Sequence, residues 1–192
     1  MYKICQTEKS LARQRELENG FLDYLETVSF NQITIAELCR YLQIPRKTFY
    51  RYFDSKEDIL YALIDHRLVD MDEYVILHFR HPGTFRQGLF LFFSFWERQK
   101  RFLDILKQNH LLGTIFSRIN SAEFIHSRKV FYGIPHYSSK ENLFVHSYHM
   151  SGLMSILIHW YLDHFQKSIS EMADIVESIY SVPFKSQFQH PQ

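Results

Sequence analysis

Pro45 constrains this chain more than any other single residue, because it falls between two short stretches that both carry helical periodicity. It lacks an N–H and biases Ile44 away from the helical region, so the first stretch has to stop just before it. It is also well suited to open a new helix, where its missing donor costs nothing. Upstream, Thr34 can N-cap a helix and Glu37 stands three residues on, where a capping box requires it. Ile35, Leu38, Cys39 and Leu42 recur at helical spacing and give that helix one apolar face. Downstream, roughly Pro45 to Tyr52, Phe49 and Phe53 are four apart and share an inward side. Arg46, Lys47, Thr48, Tyr50, Arg51 and Tyr52 are left for the other side.

Two short helices joined this tightly have helix-turn-helix geometry, in which the second helix presents its N-terminal residues to a DNA groove. The local charge agrees. Arg40, Arg46, Lys47, Arg51 and Lys56 face only Asp54 between positions 40 and 56. Cationic and hydroxyl side chains together suit phosphate contacts, which supply most non-specific affinity for DNA. Because Phe49 and Phe53 fill the inward stripe, Tyr50 and Tyr52 are expected to look outward.

The run Thr48-Phe49-Tyr50-Arg51-Tyr52-Phe53-Asp54-Ser55-Lys56-Glu57-Asp58-Ile59-Leu60 resembles the signature that closes the DNA-binding domain of the TetR family of bacterial transcriptional regulators. The resemblance implies that Tyr50, Tyr52 and Lys56 contact phosphates and that Arg46, Lys47 and Thr48 reach base edges. Thr34 and Arg51 complete the candidate DNA-binding set. Three positions depart from the family pattern. Gln43 stands where the turn usually has Gly, so a left-handed conformation there is strained. Lys47 replaces a small residue, and Ser29 takes the usual Gly position before Phe30.

The chain has 192 residues, enough for one small and one medium helical unit with a real core. Its net charge of +1 means that any nucleic-acid reading rests on the local patch rather than on overall charge. Cys5 and Cys39 make no disulfide framework, and Cys39 falls on the inward face of its helix as a reduced packing residue. No signal-peptide pattern opens the sequence and no apolar run reaches the length of a membrane span, so a cytoplasmic protein without membrane contact is expected.

In order, a first helix is predicted from about Thr7 to Thr27, with Leu17, Phe21, Leu25 and Val28 as its stripe and Gly20 as a close-packing point. Lys3, Lys9, Arg13 and Arg15 could touch flanking phosphates but read first as a solvated arm. Asp54-Ser55 caps a long fourth helix, about Lys56 to Phe79, which links the head to the rest and is ended by His81-Pro82-Gly83. Near-continuous apolarity from Thr84 to Phe116 predicts a helix buried on most sides. A further helix is expected around Ser121 to Phe131, stopped at Gly133-Ile134-Pro135. A long helix from about Lys140 to Phe165, capped by Ser139, precedes a last one capped by Ser168 or Ser170, with Met172, Ile175, Val176 and Ile179 inward.

These last two helices are similar to those of many TetR-type regulators, which implies a homodimer closed by a four-helix bundle. Met150, Gly152, Leu153, Leu157, Met172, Ile175, Val176 and Ile179 are the candidate interface. The 18 Phe and 12 Tyr mostly fill the core. Phe92, Phe93, Trp96, Phe116, Tyr148 and Trp160 are candidates to line a pocket for an apolar or aromatic effector, as the family's ligand-gated members imply. All 11 histidines lie at or after His66, and His146 and His149 are one turn apart, but a closed metal site needs more ligands. No metal, cofactor or catalytic constellation is expected, and an enzyme is a poor reading.

The expectation is therefore an all-α chain. Residues 1–55 form a three-helix DNA-binding domain, 56–182 a helical ligand-binding and dimerisation domain, and 183–192 a loose tail. As a dimer it would bind a palindromic double-stranded operator as a repressor released by a small molecule. A DNA-binding adaptor controlled by a protein partner, or a helical ligand carrier or enzyme, remain the alternatives.

Overall fold

The hydroxyl of Thr7 accepts the Ser10 backbone N–H at 3.2 Å and starts α1, Glu8–Leu25. The computed structural model describes residues 2–80, 83–121 and 139–181, with the backbone alone for 139–143. Every regular element among them is helical. A 3-10 turn at Phe30–Gln32 leads to α2, Ile35–Tyr41, and α3, Arg46–Tyr50. The expected caps form. Thr34 accepts the Glu37 N–H and donates its hydroxyl to Oε2 of Glu37 at 2.6 Å. Ser55 accepts the Asp58 N–H at the start of α4, Lys56–His78.

The stretch predicted as one buried helix from Thr84 to Phe116 is three: α5, Phe85–Glu97; α6, Lys100–Gln108; and α7, Leu112–Ile119. The breaks fall at Arg98-Gln99, beside a run of exposed charges, and at Asn109–Leu111, where His110 takes a positive φ of 59°. Two further helices are α8, Ser139–Leu162, and α9, Ile169–Ser181. Ser168 caps α9 in a box with Glu171. The expected helix at 121–131, the breaks at His81-Pro82 and Gly133-Ile134-Pro135, the Ser139 cap and the tail at 183–192 lie outside the described residues or side chains. Among the described residues, no helix is long and apolar enough to cross a membrane.

The chain packs as two units, Met1–Val69 with Arg101–Ser151, and Asp70–Lys100 with Gly152–Gln192, so the boundaries fall inside α4, at the start of α6 and inside α8. The first unit buries Leu17, Phe21 and Leu25 of α1, Leu38, Phe49 and Phe53 of the helix-turn-helix, and Ile59 to Leu68 of α4. Phe102, Leu103, Ile105 and Leu106 of α6 and Ile115 and Ile119 of α7 are buried in it too. Gly20 is the close-packing point of α1 on α2, since a Cβ there would meet Cδ2 of Leu42. In the second unit α9 packs along α5. Its interior is Met71 and Val75 of α4, Leu89, Phe92, Phe93, Phe95 and Trp96 of α5, Met154, Leu157 and Trp160 of α8, and Met172 and Val176 of α9.

Candidate nucleic-acid interface

The helix-turn-helix rests on Leu38, Cys39, Phe49 and Phe53, all buried, with the rings of Phe49 and Phe53 5.4 Å apart. Burial pushes the Cys39 thiol above its ordinary pKa, which keeps it protonated and unreactive. The turn closes through Gln43 at φ 52°, the left-handed conformation expected of the family's glycine position. Ile44 N–H then reaches the Cys39 carbonyl at 3.0 Å. α3 is only five residues long, shorter than the predicted Pro45 to Tyr52, with Pro45 as its N-cap.

On the outer side, Arg40, Arg46, Lys47 and Arg51 are exposed, Thr48 is half-buried and Tyr50 is 45% exposed. Thr34 is also exposed, at the start of α2. These residues form one cationic and hydroxyl-bearing edge of the head. Tyr52 corrects the sequence reading. It does not look outward but is buried at 6% exposure, its ring 6.1 Å from that of Phe53.

Lys56 is engaged within the chain. Its Nζ donates to the carbonyls of Phe30 at 2.9 Å, Ile33 at 3.3 Å and Asn31 at 3.4 Å, and lies 4.8 Å from the Phe30 ring centroid. It thereby fastens the 3-10 turn to the start of α4. Asn109 holds the same turn from the other side: its Oδ1 accepts the Phe30 N–H at 2.8 Å, and its Nδ2 donates to the Leu25 carbonyl. Arg101 of α6 binds both Asp23 and Glu26 at the end of α1, and this guanidinium holds the Glu26 carboxyl below its usual range. Arg101 of α6 and Asn109 just beyond it thus hold the end of α1 and the turn that follows it.

Sequence reasoning missed a buried polar seam in this unit. Asp65, in the middle of α4, accepts from Arg118 Nε at 2.8 Å and Nη2 at 2.6 Å, and from the Tyr2 hydroxyl at 2.9 Å. Burial, and then the Asp65 carboxylate, raise the Tyr2 pKa well above its ordinary value, so the hydroxyl remains a donor. Glu18 of α1 meets His66 Nδ1 at 2.8 Å, and Arg118 lies over the Tyr61 ring. The signal was present: Asp58, Asp65 and Asp72 recur every seven residues of α4 and all three are buried. The segment before α1 also differs from the solvated arm expected of it, because Lys3 donates its backbone N–H to the Tyr52 carbonyl and its Nζ to the Tyr50 carbonyl.

The other candidate residues divide between the units. Phe92, Phe93, Trp96 and Trp160 are buried in the second, where Phe93 meets Phe92 and Trp160 edge-on at 5.2 and 5.4 Å. Phe116 is half-buried in the first unit, and Tyr148, expected to line a pocket, is instead 71% exposed on α8. Of the residues proposed for an interface, Met150, Leu157, Met172 and Val176 pack inside this chain's own interior. Leu153 is half-buried, Gly152 is exposed, and Ile175 and Ile179, expected inward, are exposed. Among the described residues no group of three or more His, Cys, Asp or Glu is arranged to hold a metal.

A helical architecture among the described residues, with a capped helix-turn-helix and a cationic outer edge, is that of helical DNA-binding regulators. The sequence model described as bacterial regulatory proteins, tetR family, matches residues 24–63, which span the end of α1 to the first turns of α4. Over this segment the chain is similar to the tetR family of bacterial regulatory proteins. It is 25% identical over 64 residues to the HTH-type dhaKLM operon transcriptional activator DhaS of Lactococcus lactis subsp. lactis (strain IL1403), covering 33% of this chain and 34% of that protein. The match thus spans about a third of the curated relative. Among solved structures, the fatty acid degradation regulator FadR from Bacillus halodurans aligns with a TM-score of 0.54 at 12% identity, over 92% of this chain and 96% of that one. A structure of the dihydroxyacetone kinase operon activator DhaS aligns at 0.49 with 16% identity, over 86% and 92%. The family and these relatives are regulators rather than enzymes.

Proposed function

We propose that the chain is a transcriptional regulator that binds a two-fold-symmetric operator duplex as a homodimer in the cytoplasm and is released by a small apolar or aromatic molecule. The observation that carries the reading is the edge of exposed Thr34, Arg46, Lys47, Tyr50 and Arg51, with half-buried Thr48, on a helix-turn-helix held by buried Phe49 and Phe53. Arg46, Lys47 and Thr48, at the start of α3, read base edges, while Tyr50 and Arg51 bind phosphates. Tyr52 and Lys56 act from within, Tyr52 as a core residue and Lys56 as the fastener of the 3-10 turn.

Dimer formation is supported by the exposed Ile175 and Ile179 of α9, four residues apart on one face, with Tyr180 beside them and Gly152 exposed on α8. Effector binding is supported by the aromatic interior around Phe93, where apolar packing can yield to an apolar guest. Arg101 of α6 and Asn109 just beyond it tie that stretch to the end of α1 within the same unit. A regulator that activates is the second reading, favoured by the activator DhaS among its relatives.

Selection of duplexes from a randomised pool tests the core of this reading. The expected winner is a palindrome whose half-sites lie about one DNA turn, 34–36 Å, or a multiple apart. Affinity should fall steeply with salt. Ile175→Asp with Ile179→Asp should give monomers in the ultracentrifuge that bind the selected duplex poorly. Mutants that remain dimeric move the interface elsewhere, and a protein that selects no duplex ends the reading. For gating, a panel of apolar and aromatic molecules is titrated with and without duplex. A true effector must lose affinity for the DNA-bound protein by the same factor by which it weakens DNA binding.

A further inference from the structure

α3 cannot hold itself. Five residues are too few for a stable helix, and the carbonyls at its C-terminal end have no partners within it. Two of the carbonyls at this end are taken by one residue from the segment that precedes α1. Lys3 Nζ donates to Tyr50 O at 2.6 Å, and the Lys3 backbone N–H donates to Tyr52 O at 2.9 Å. A cation at this end also meets the negative pole of the helix. The Lys3 side chain is exposed and also lies 3.6 Å from Asp54, but its backbone is tethered because its neighbour Tyr2 is anchored by its hydroxyl to Asp65, and the Tyr2 ring packs edge-on against His66 at 6.0 Å. Cys5 continues the attachment by donating Sγ–H to Gln14 of α1 at 3.0 Å. Asp65 in turn is gripped in two-pronged fashion by Arg118 of α7. One buried carboxylate therefore receives the segment that caps the recognition helix and the helix that follows α6.

We propose that residues 2–5 are a strap that fixes the C-terminal end of the recognition helix and couples its position to α7 through Asp65. This rests on the DNA-binding reading for its purpose but not for its existence. A shift of Arg118 pulls on Asp65, loosens or tightens Tyr2, and reaches Tyr50 and Tyr52 through the adjacent Lys3. Tyr2 and Lys3 are positioning residues in this scheme, and Lys3 works on the protein rather than on the DNA backbone.

The test has an arm without DNA and an arm with it. In the first, amide hydrogen exchange is followed over residues 46–53 in the wild type, Tyr2→Phe, Lys3→Met and Arg118→Lys, with melting curves to confirm that each variant is folded. Tyr2→Phe keeps the ring and loses only the donor, so the fold should survive. Exchange in α3 should rise about threefold or more in each variant through local opening. Combining Arg118→Lys with Tyr2→Phe should add nothing further, because both act on one link. Unchanged exchange in Tyr2→Phe, or fully additive effects in the pair, overturns the strap. In the second arm, the duplex selected by the wild type and a scrambled duplex are titrated across salt. Tyr2→Phe and Lys3→Met should lose about tenfold on the selected duplex, an effect of the size expected when one good contact is misplaced. They should lose little on the scrambled one and leave the salt slope unchanged. A slope shallower by about one for Lys3→Met would make it a phosphate contact and overturn its role as a strap. If the wild type selects no duplex, the functional reading fails while the exchange result still decides the strap.

Discussion

The two units of this chain solve the same packing problem with opposite means. The unit that carries the helix-turn-helix is laced with polar ties: Asp65 to Arg118 and Tyr2, Glu18 to His66, Arg101 to Asp23 and Glu26, and Asn109 to Leu25 and Phe30. The unit of α5 and α9 buries Phe92, Phe93, Phe95, Trp96 and Trp160 as its interior and carries polar ties at its edges, such as those from Arg86 of α5 to Asp174 and Ser170 of α9. Another is the Trp160 indole, which donates to the Lys167 carbonyl across the turn where His164 and Phe165 take positive φ. Hydrogen bonds are directional and fix register, whereas apolar contacts tolerate a shift of an ångström or a replaced neighbour. A reading head has to hold its helix in one place. A chamber for a small molecule, as proposed for the second unit, has to yield.

The contrast can be broken first by single deletions, where the largest effects lie. Arg118→Met leaves the Asp65 carboxylate, whose side chain is 3% exposed, without its main partner and should cost about 3–5 kcal/mol. Phe93→Ala opens a cavity in the aromatic interior and should cost about 3–5 kcal/mol as well. Urea titrations give both numbers. The units then part in how they are rescued. Adding Asp65→Leu to Arg118→Met removes the stranded charge and should restore stability to near the wild-type value, as apolar replacements of buried ion pairs commonly do. Operator affinity should stay low, because Tyr2 has lost its acceptor. For Phe93→Ala an apolar ligand that fills the space should restore stability with no second mutation. If the double variant recovers DNA binding along with stability, the seam is only structural.

The sequence made the head legible because its instructions are local. Thr34 and Glu37 form a capping box three residues apart, Pro45 separates two helices, and Gln43 sits where the turn needs a left-handed residue. Each can be read without knowing what lies elsewhere in the fold. What escaped were pairings across the chain. Tyr52 is buried although the periodicity of α3 leaves it outside, because α3 ends at Tyr50 and the backbone turns there. Lys56 resembles a phosphate contact in the family signature, yet three carbonyls from residues 30–33 surround its amine. The run from Thr84 to Phe116 reads as one buried helix because apolarity reports burial and not direction, and the breaks lie in charged or polar residues that a solvated face would also carry. Ile175 and Ile179 are as apolar as Met172 and Val176, and only packing separates the pair that faces α5 from the pair left exposed.

The smallest effects concern the caps, and they sharpen the comparison because both units use the same device. Thr34 with Glu37 starts α2 in the head, and Ser168 with Glu171 starts α9 in the other unit. Thr34→Ala and Ser168→Ala should each cost about 1 kcal/mol. The two glutamates respond to pH in the same sense. The Thr34 hydroxyl and backbone N–H lower the pKa of Glu37 from its ordinary value of 4.5, and those of Ser168 do the same for Glu171. A folded-state pKa below the unfolded one means that the contribution is complete above about pH 4.5 and fades as pH falls through the lowered value. Stability should therefore be flat with respect to these boxes near neutrality and decline on acidification. Glu37→Gln and Glu171→Gln should each make that decline shallower in urea titrations between neutral and acid pH. The operator readout should divide them: at neutral pH Thr34→Ala weakens DNA binding beyond its effect on folding, since Thr34 is on the exposed edge, whereas Ser168→Ala leaves it unchanged in the dimer. Equal losses of DNA affinity from the two caps would mean that the helix-turn-helix gains nothing from being the stiffer unit, and that its rigidity is not what positions α3.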